Sequence, residues 1–361
     1  MEILGNEENG FSRPWVIAGP CSAETYDQLY AVTKSVYKLG VKVVRAGVWK
    51  PRTRPNNFEG VGVEALAWME SIKKEIGVKF AIEVANAEHV ELALKYNIDM
   101  AWLGARTTVN PFTVQEIADA LKGTDIPVMV KNPVNPDLAL WMGCIERIAN
   151  AGIQEIAAIH RGFSSYKKTR FRNEPLWQLP IELKSRLPGV PLLCDPSHIA
   201  GDSSMIHEIS QKALDLNYDG IMVETHPDPG NAWSDPKQQV SPGQLAEILK
   251  DLKLRQDTCD DSLFKSQLEE LRNKIDSIDH DLVENLANRA KIIEEIGQYK
   301  KDNDVTILQI ERWNKILKSR KEWGQPLGLN AEFIEELYKA IHSESIRKQT
   351  EIFNRTPQSP K

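Results

Sequence analysis

The chain has 361 residues, 41% of them hydrophobic and 27% charged, with a formal net charge of -6. That length suits one large domain and one small one, and the acidic balance argues against a nucleic-acid partner. No apolar stretch reaches bilayer-spanning length, the start lacks the basic-then-apolar pattern of a secretory leader, and four scattered cysteines without a CxxC pair fit a reduced cytoplasmic protein.

In chain order, residues 1–253 alternate short apolar strands with helices. The candidate strands are WVIAGP, VKVVRAG, KFAIEV, DMAWLG, IPVMVK, EIAAIHR, VPLLCD and GIMVET. Each is nearly continuous in apolar residues, as expected when both faces are covered. Eight strand–helix units over roughly 250 residues predict an α/β fold, a (β/α)8 TIM barrel. An open doubly wound sheet is the alternative, disfavoured because no GxGxxG follows the first strand. SPGQLAEILKDLKL closes this domain, with Ser241 as helix cap and Pro242 in the first turn.

Residues 254–263 read as a polar linker. Residues 264–354 then form an all-α three-helix domain, and 355–361 a flexible tail. Leu268, Leu271, Ile275, Ile278, Leu282, Leu286, Ile293 and Ile296 recur at helical spacing in a proline-free helix of roughly 50 Å. A second helix is expected over approximately Val305–Glu322, ended by GQPLG, and a third over approximately Ala331–Phe353. So elongated a domain buries little by itself, so it is expected to dimerise through the long helix.

Functional groups of such a barrel follow the C-terminal ends of its strands. Cys21, His198, Glu224 and Asp235 all fall there, and together offer a thiolate, an imidazole and two carboxylates. Singly, each has a blander reading, Cys21 as a buried hydrophobe and His198 as a turn histidine. Jointly they suit one divalent ion per barrel, Mn2+ first, with Fe2+, Co2+ or Zn2+ as alternatives. His226 is a lesser candidate that would support the ligands from behind. Arg45, Lys50, Arg52, Arg106, Lys131 and Arg161 form a cationic set on the same rim, which predicts a substrate with several negative charges. Thr53 adds a hydroxyl to a phosphate site.

At these residues the sequence resembles the 3-deoxy-D-arabino-heptulosonate 7-phosphate (DAHP) synthases. The strings AGPCS, RAGVWKPRT, LGARTTVNPF, VKNP, LLCDPSHIAGD and VETHPDPGNAWSD carry the likeness over residues 12–253. It implies condensation of phosphoenolpyruvate with erythrose 4-phosphate. It assigns Cys21, His198, Glu224 and Asp235 to the metal, Arg45, Lys50, Arg106, Lys131 and Arg161 to phosphoenolpyruvate, and Arg52 and Thr53 to the erythrose phosphate. Lys50 would protonate or stabilise the developing alkoxide. KPRT separates this chain from the related octulosonate 8-phosphate synthases, which carry an Asn-containing motif there. His160 stands where many relatives have Glu.

On the long helix Arg272 and Arg289 lie seventeen residues apart and Lys300 eleven further on, so the three share roughly one side. Ser345 and Gln349 form one polar patch on the third helix. With ILQIERW and FIEELYKAIHSESIRKQ, this region resembles the all-helical chorismate mutases. The likeness implies rearrangement of chorismate to prephenate in a homodimer, each site built partly by a long helix from each chain. Arg272, Arg289 and Arg312 would hold the carboxylates, Lys300 and Gln349 the ether oxygen, and Ser345 the ring hydroxyl. Gln309 replaces an acidic residue of the family pattern. With no segment ahead of the first strand to house an effector, prephenate or a downstream aromatic product, acting through the helical domain, is the expected inhibitor of the synthase. The competing expectation is an octulosonate-type barrel with a non-catalytic helical module.

Overall fold

The computed structural model describes residues 14–50, 58–166, 169–255 and 259–355. They form two compact units that divide between residues 257 and 258.

The first unit is the expected barrel. Its strands are β1 (Trp15–Gly19), β2 (Val43–Arg45), β3 (Lys79–Val84), β4 (Met100–Leu103), β5 (Val128–Lys131), β6 (Ile156–His160), β7 (Leu192–Cys194) and β8 (Gly220–Glu224). Each pairs in parallel with the next, and β1 pairs with β8 from Trp15–Gly220 to Gly19–Glu224, closing the sheet. All eight lie inside the segments read from sequence. The surrounding helices are α1 (Tyr26–Lys38), α2 (Val63–Ile76), α3 (Ala87–Lys95), α4 (Ala105–Thr108), α5 (Pro111–Leu121), α6 (Leu138–Asn150), α7 (Gln178–Arg186), α8 (Pro196–Ala200), α9 (Ile206–Asp215) and α10 (Pro242–Asp251). The starts of α1, α3, α5, α6, α8 and α10 carry side-chain caps. Ser241 accepts from Gln244 N while the Gln244 side chain accepts from Ser241 N, a full capping box with Pro242 in the first turn.

Strand alternation divides the core in two. Ile17, Val43, Ala81, Met100, Trp102, Met129, Ala157, Ile159, Leu193 and Met222 fill the lumen. Their neighbours Val44, Ile82, Val130, Ala158 and Val223 pack outward with the helices. Because side chains alternate, the next inward position on each strand end falls to Arg45, Glu83, Lys131, Asp195 and Glu224. One charged layer thus caps an apolar lumen. Gly19 permits this close closure, since a Cβ there would lie 2.2 Å from the Arg45 carbonyl oxygen.

The second unit comprises α11 (Ser262–Asp302), α12 (Ile310–Gly324) and α13 (Ala331–Asn354), with α13 packed against both others. At 41 residues α11 is about 60 Å long. Asp261 caps its start, accepting from Leu263 N and Phe264 N, so the helix begins inside the expected linker. The second helix begins five residues later than expected. Residues 303–309 are irregular, with Val305 N turned back to the Lys300 carbonyl and Lys300 Nζ bound to the Ile307 carbonyl. Among the described residues of this unit only two large apolar side chains, Ile334 and Ile352, are buried. Leu271, Ile275, Ile278 and Leu282 on α11 are all exposed.

Candidate active sites

In the barrel, the charged layer is organised around two carboxylates. Asp195 is buried and bonds Lys131 Nζ at 2.8 Å, while Arg45 Nη1 lies 3.9 Å away. Glu224 is buried with Arg45 Nη2 at 3.0 Å from Oε1 and accepts from Gln238 Nε2 at 2.6 Å. Beneath them the Trp102 ring lies 5.1 Å from the Arg45 guanidinium and 5.5 Å from Lys131 Nζ, and its indole donates to Glu83 Oε2 at 3.2 Å. Burial alone would raise both central carboxyls. His198, Lys131 and Arg45 hold Asp195 well below the usual range, and Arg45, His198 and Lys50 lower Glu224.

Of the proposed metal ligands, Glu224 ends β8, and Cys21, His198 and Asp235 enter this layer from the segments that follow β1, β7 and β8. Asp195 caps α8 by accepting from His198 N at 3.1 Å, Pro196 opens the helix, and His198 is thereby fixed as its third residue. His198 Nδ1 faces Asp195 Oδ2 at 2.8 Å, and Nε2 lies 3.8 Å from Glu224 Oε1. Cys21, just past β1, donates from Sγ to Asp235 Oδ2 at 3.5 Å and accepts from Lys50 Nζ at 3.1 Å. Burial pushes its thiol up to about 11. Asp235 has φ of +45°, and Arg172 donates to its Oδ1 at 3.1 Å. The four therefore stand as two pairs, Cys21–Asp235 and His198–Glu224. They do not form a trio with all donor atoms within 4.8 Å. Among the described residues the trio that meets that distance is His280, Asp281 and Glu284, exposed on α11. His226 faces Glu24 at 3.3 Å, and Glu24 also accepts from Trp233 N at 2.8 Å, which braces the loop carrying Asp235.

Of the phosphate-binding candidates, Arg45 and Lys131 are buried in the lumen layer. Arg161 Nη1 donates to Asn173 Oδ1 at 2.7 Å and to the Gly162 carbonyl at 3.2 Å, and burial lowers it to about 10. Arg106 sits on α4, close enough to repel the Arg161 charge. Lys50 bridges to Cys21. Arg52 and Thr53 lie outside the described residues. The flanks of their segment are fastened, with Lys50 N donating to the Glu59 carbonyl at 2.8 Å and Phe58 edge-on to Trp233 at 5.2 Å.

His160 departs from the rim. It ends β6 on the outward face, buried beside Phe163, Trp177 and Tyr218, with Nε2 at 2.7 Å from the Pro175 carbonyl and Nδ1 at 3.0 Å from the Tyr218 hydroxyl. Burial lowers it to about 3, so it is neutral and cannot serve the lumen. Sequence reading missed Glu83, Asp195, Trp102, Arg172, Asn173 and Gln238. Counting alternation inward from each strand end finds the first three. The others come from long loops, where no periodicity applies.

In the helical unit, Arg289 Nη1 donates to Ser345 Oγ at 2.8 Å, joining α11 to α13. Gln349 is buried against Gly297, donates to the Ser345 carbonyl at 3.3 Å, and leaves Oε1 without a hydrogen bond. Burial lowers both Arg289 and Lys300, and Arg320 adds to the effect on Arg289. A cavity of about 320 Å3 runs along the α11–α13 seam, lined in part by Leu286, Arg289, Ile293, Ile341 and Ser345. Arg312 is exposed, as is Gln309, which precedes α12. Arg272 is 63% exposed. Its seventeen-residue offset places it about 25 Å along α11 from Arg289, too far to reach the same small ligand within one chain. His342, unnoticed in the sequence, stacks on Trp313 at 3.9 Å near Arg289 and Lys300.

Comparison with known proteins agrees with this division. Residues 5–259 match the profile of the DAHP synthetase I family, and residues 271–350 that of chorismate mutase type II. The phospho-2-dehydro-3-deoxyheptonate aldolase of Thermotoga maritima is 30% identical over 250 residues, covering 69% of this chain and 72% of that protein. A 2-dehydro-3-deoxyphosphooctonate aldolase of Rhodopseudomonas palustris is 25% identical, over 69% of this chain and 90% of that one. A crystal structure of the Thermotoga maritima DAHP synthase superposes with a TM-score of 0.59 at 29% identity, over 65% of this chain and 67% of that one. The chain thus belongs to the DAHP synthetase I family and continues into a type II chorismate mutase domain, a bifunctional transferase and isomerase.

Proposed function

We propose that the barrel condenses phosphoenolpyruvate with erythrose 4-phosphate and water to DAHP and phosphate in a divalent-metal-dependent reaction, and that the helical unit rearranges chorismate to prephenate as a homodimer. For the barrel, the reading rests on one observation: a buried layer in which Arg45, Lys131 and Arg161 face Asp195, Glu224, His198 and Cys21. The donor set fits a divalent transition ion. Its thiol is buried, its carboxylates are held ionised, and Glu224 Oε1 meets the Arg45 guanidinium at 3.0 Å without an aligned hydrogen bond. Cys21, His198, Glu224 and Asp235 would hold the ion, whose chemistry there is to polarise the aldehyde as a Lewis acid.

The chain's own side chains do the remaining work. Arg45, Arg106, Lys131 and Arg161 bind the phosphate and carboxylate of phosphoenolpyruvate and orient its nucleophilic carbon. Arg52 and Thr53 hold the erythrose phosphate. Lys50, at the foot of the KPRT segment and bonded to Cys21, delivers a proton to the alkoxide that forms as the new carbon–carbon bond closes. Glu83, inward on β3, positions the water that adds to carbon 2 before phosphate leaves. His160 takes no part.

In the helical unit, Arg289, Arg312 and a second chain's Arg272 clamp the two carboxylates, while Lys300 and Gln349 stabilise charge on the ether oxygen and Ser345 orients the ring hydroxyl. The 25 Å separation of Arg272 and Arg289 supports the dimer. So does the 3–4 spacing of exposed Leu271, Ile275, Ile278 and Leu282, a coiled-coil seam in search of a partner. Prephenate at the same cations is the feedback ligand of the synthase in this reading.

Product analysis tests substrate choice. The full chain should form the seven-carbon product from erythrose 4-phosphate at least about 100-fold faster than any eight-carbon product from arabinose 5-phosphate, the order of discrimination that a site shaped for one partner provides. A faster reaction with arabinose 5-phosphate would replace this reading with the octulosonate one.

A further inference from the structure

Asn173 bonds in two directions at once. Its Oδ1 accepts from Arg161 Nη1 at 2.7 Å, and its Nδ2 donates to the main-chain oxygen of His198 at 2.6 Å. The first partner belongs to the anion-binding set and the second is the backbone of a metal-ligand candidate. Nothing in the local sequence links them, because Arg161 directly follows β6 and His198 lies on α8, beyond β7.

Close packing fixes this amide in place. The chain leaves β6, goes out, and returns so that Phe163 and Glu174 exchange two N–H···O bonds at 2.8 Å. That return lays Asn173 against Gly162, where φ is +78° and a Cβ would come within 2.7 Å of the Asn173 carbonyl oxygen. On the other side Arg172 N and Asn173 N both donate to the Ile199 carbonyl, at 3.0 and 3.2 Å, and so fasten the returning strand to the end of α8. Gly201, φ +70°, clears the space for the Arg172 side chain, since a Cβ there would meet Arg172 Cβ at 2.5 Å. The Arg172 guanidinium then reaches Asp235 and Gln238, and Gln238 reaches Glu224. A movement of Arg161 toward an incoming phosphate would therefore pull, through the Asn173 amide, on the helix that holds His198.

We propose that Asn173 is a positioning residue that couples anion binding at Arg161 to divalent-cation binding at His198. The proposal rests on the metal and phosphoenolpyruvate assignments above. Coupling of this kind is reciprocal, and values of roughly 5- to 150-fold are ordinary. Direct attraction between a bound cation and a bound anion adds to this and does not depend on Asn173, so the contribution of Asn173 is read as the change in coupling between wild type and variant.

The test is equilibrium binding by the metal-free full chain. Free Mn2+ is followed by electron paramagnetic resonance, with and without saturating phosphoenolpyruvate, and phosphoenolpyruvate is titrated calorimetrically with and without Mn2+. Wild type should bind Mn2+ roughly tenfold more tightly when phosphoenolpyruvate is present. In Asn173→Ala the ratio should fall to about twofold, with each ligand alone bound within about fivefold of wild type. Asn173→Asp is nearly isosteric and keeps an acceptor for Arg161, but cannot donate to the His198 carbonyl. Its added charge beside Arg161 should weaken phosphoenolpyruvate binding by itself, so the readout is the ratio of affinities with and without Mn2+, which should fall as in the alanine variant and decides the matter should that variant fold poorly. A wild-type ratio of one, or a full ratio in either folded variant, overturns the inference alone. A wild type that binds Mn2+ no better than Cys21→Ala overturns the metal assignment and the inference with it.

Discussion

The two units build polar sites by opposite means. In the barrel, Arg45 is 1% exposed and Glu224 0%, and Arg45 and Lys131 each meet a carboxylate carried at the end of a different strand. One chain closes the sheet, so one chain completes the layer. In the helical unit, Arg272 is 63% exposed, only two large apolar side chains are buried among the described residues, and the cations lie along a single rod. A helix spreads its groups at about 1.5 Å per residue, whereas a closed sheet gathers its strand ends onto one rim. Polar groups converge with the fold in the first case; in the second, the proposed association would have to bring them together.

The largest effect that would sharpen this contrast is metal removal. Chelation, Cys21→Ala or His198→Ala should each lower synthase turnover by at least about 1000-fold, since Lewis-acid stabilisation is worth several kcal/mol. Mutase turnover should be unchanged in the same samples. Full synthase activity in protein verified as metal-free would break the assignment.

Next comes Arg289→Ala, which should reduce mutase kcat/KM by roughly 100- to 1000-fold, the usual loss for one charge-stabilising donor, with circular dichroism unchanged. A value near that of wild type would leave the seam cavity without a function.

The proposed association should be broken by Ile275→Lys with Ile278→Lys. Sedimentation should show the loss of a dimer, and mutase activity should fall by roughly tenfold or more as the second chain's Arg272 is withdrawn. Synthase turnover should hold. Monomeric protein with full mutase activity would mean that the two helical sites are complete in one chain.

The smallest effect concerns His160. Burial lowers it from 6.5 to about 3 in the fold. Between those values the unfolded chain takes up a proton that the native chain refuses, so its contribution is complete above pH 6.5 and is lost as pH falls toward 3. Replacing it by Phe should remove part of the acid sensitivity, narrowing the drop in barrel Tm between pH 7 and pH 5 by about 5 °C. An unchanged drop would show that His160 is protonated at no extra cost in the native state.

Much of this was legible from residue order. The eight strands, the Ser241 cap, the long helix and the chemistry after each strand follow from local rules of period, capping and chain reversal, which act over a few residues. The boundary of α12 was misjudged because a helical pattern does not reveal that Lys300 turns the chain back at Val305 and Ile307. The four ligand candidates were found, but their standing as two pairs with Lys50, Arg45 and Arg172 against them was not, because it depends on contacts across the rim. His160 seemed a rim residue by its place in the chain. Only the register of a closed sheet turned it outward to Tyr218 and turned Glu83 and Asp195 inward. Asn173 had no signal at all. Its meaning arises from a loop that returns to lie between Arg161 and His198, and such encounters are set by the packing of distant segments, where sequence spacing carries no information.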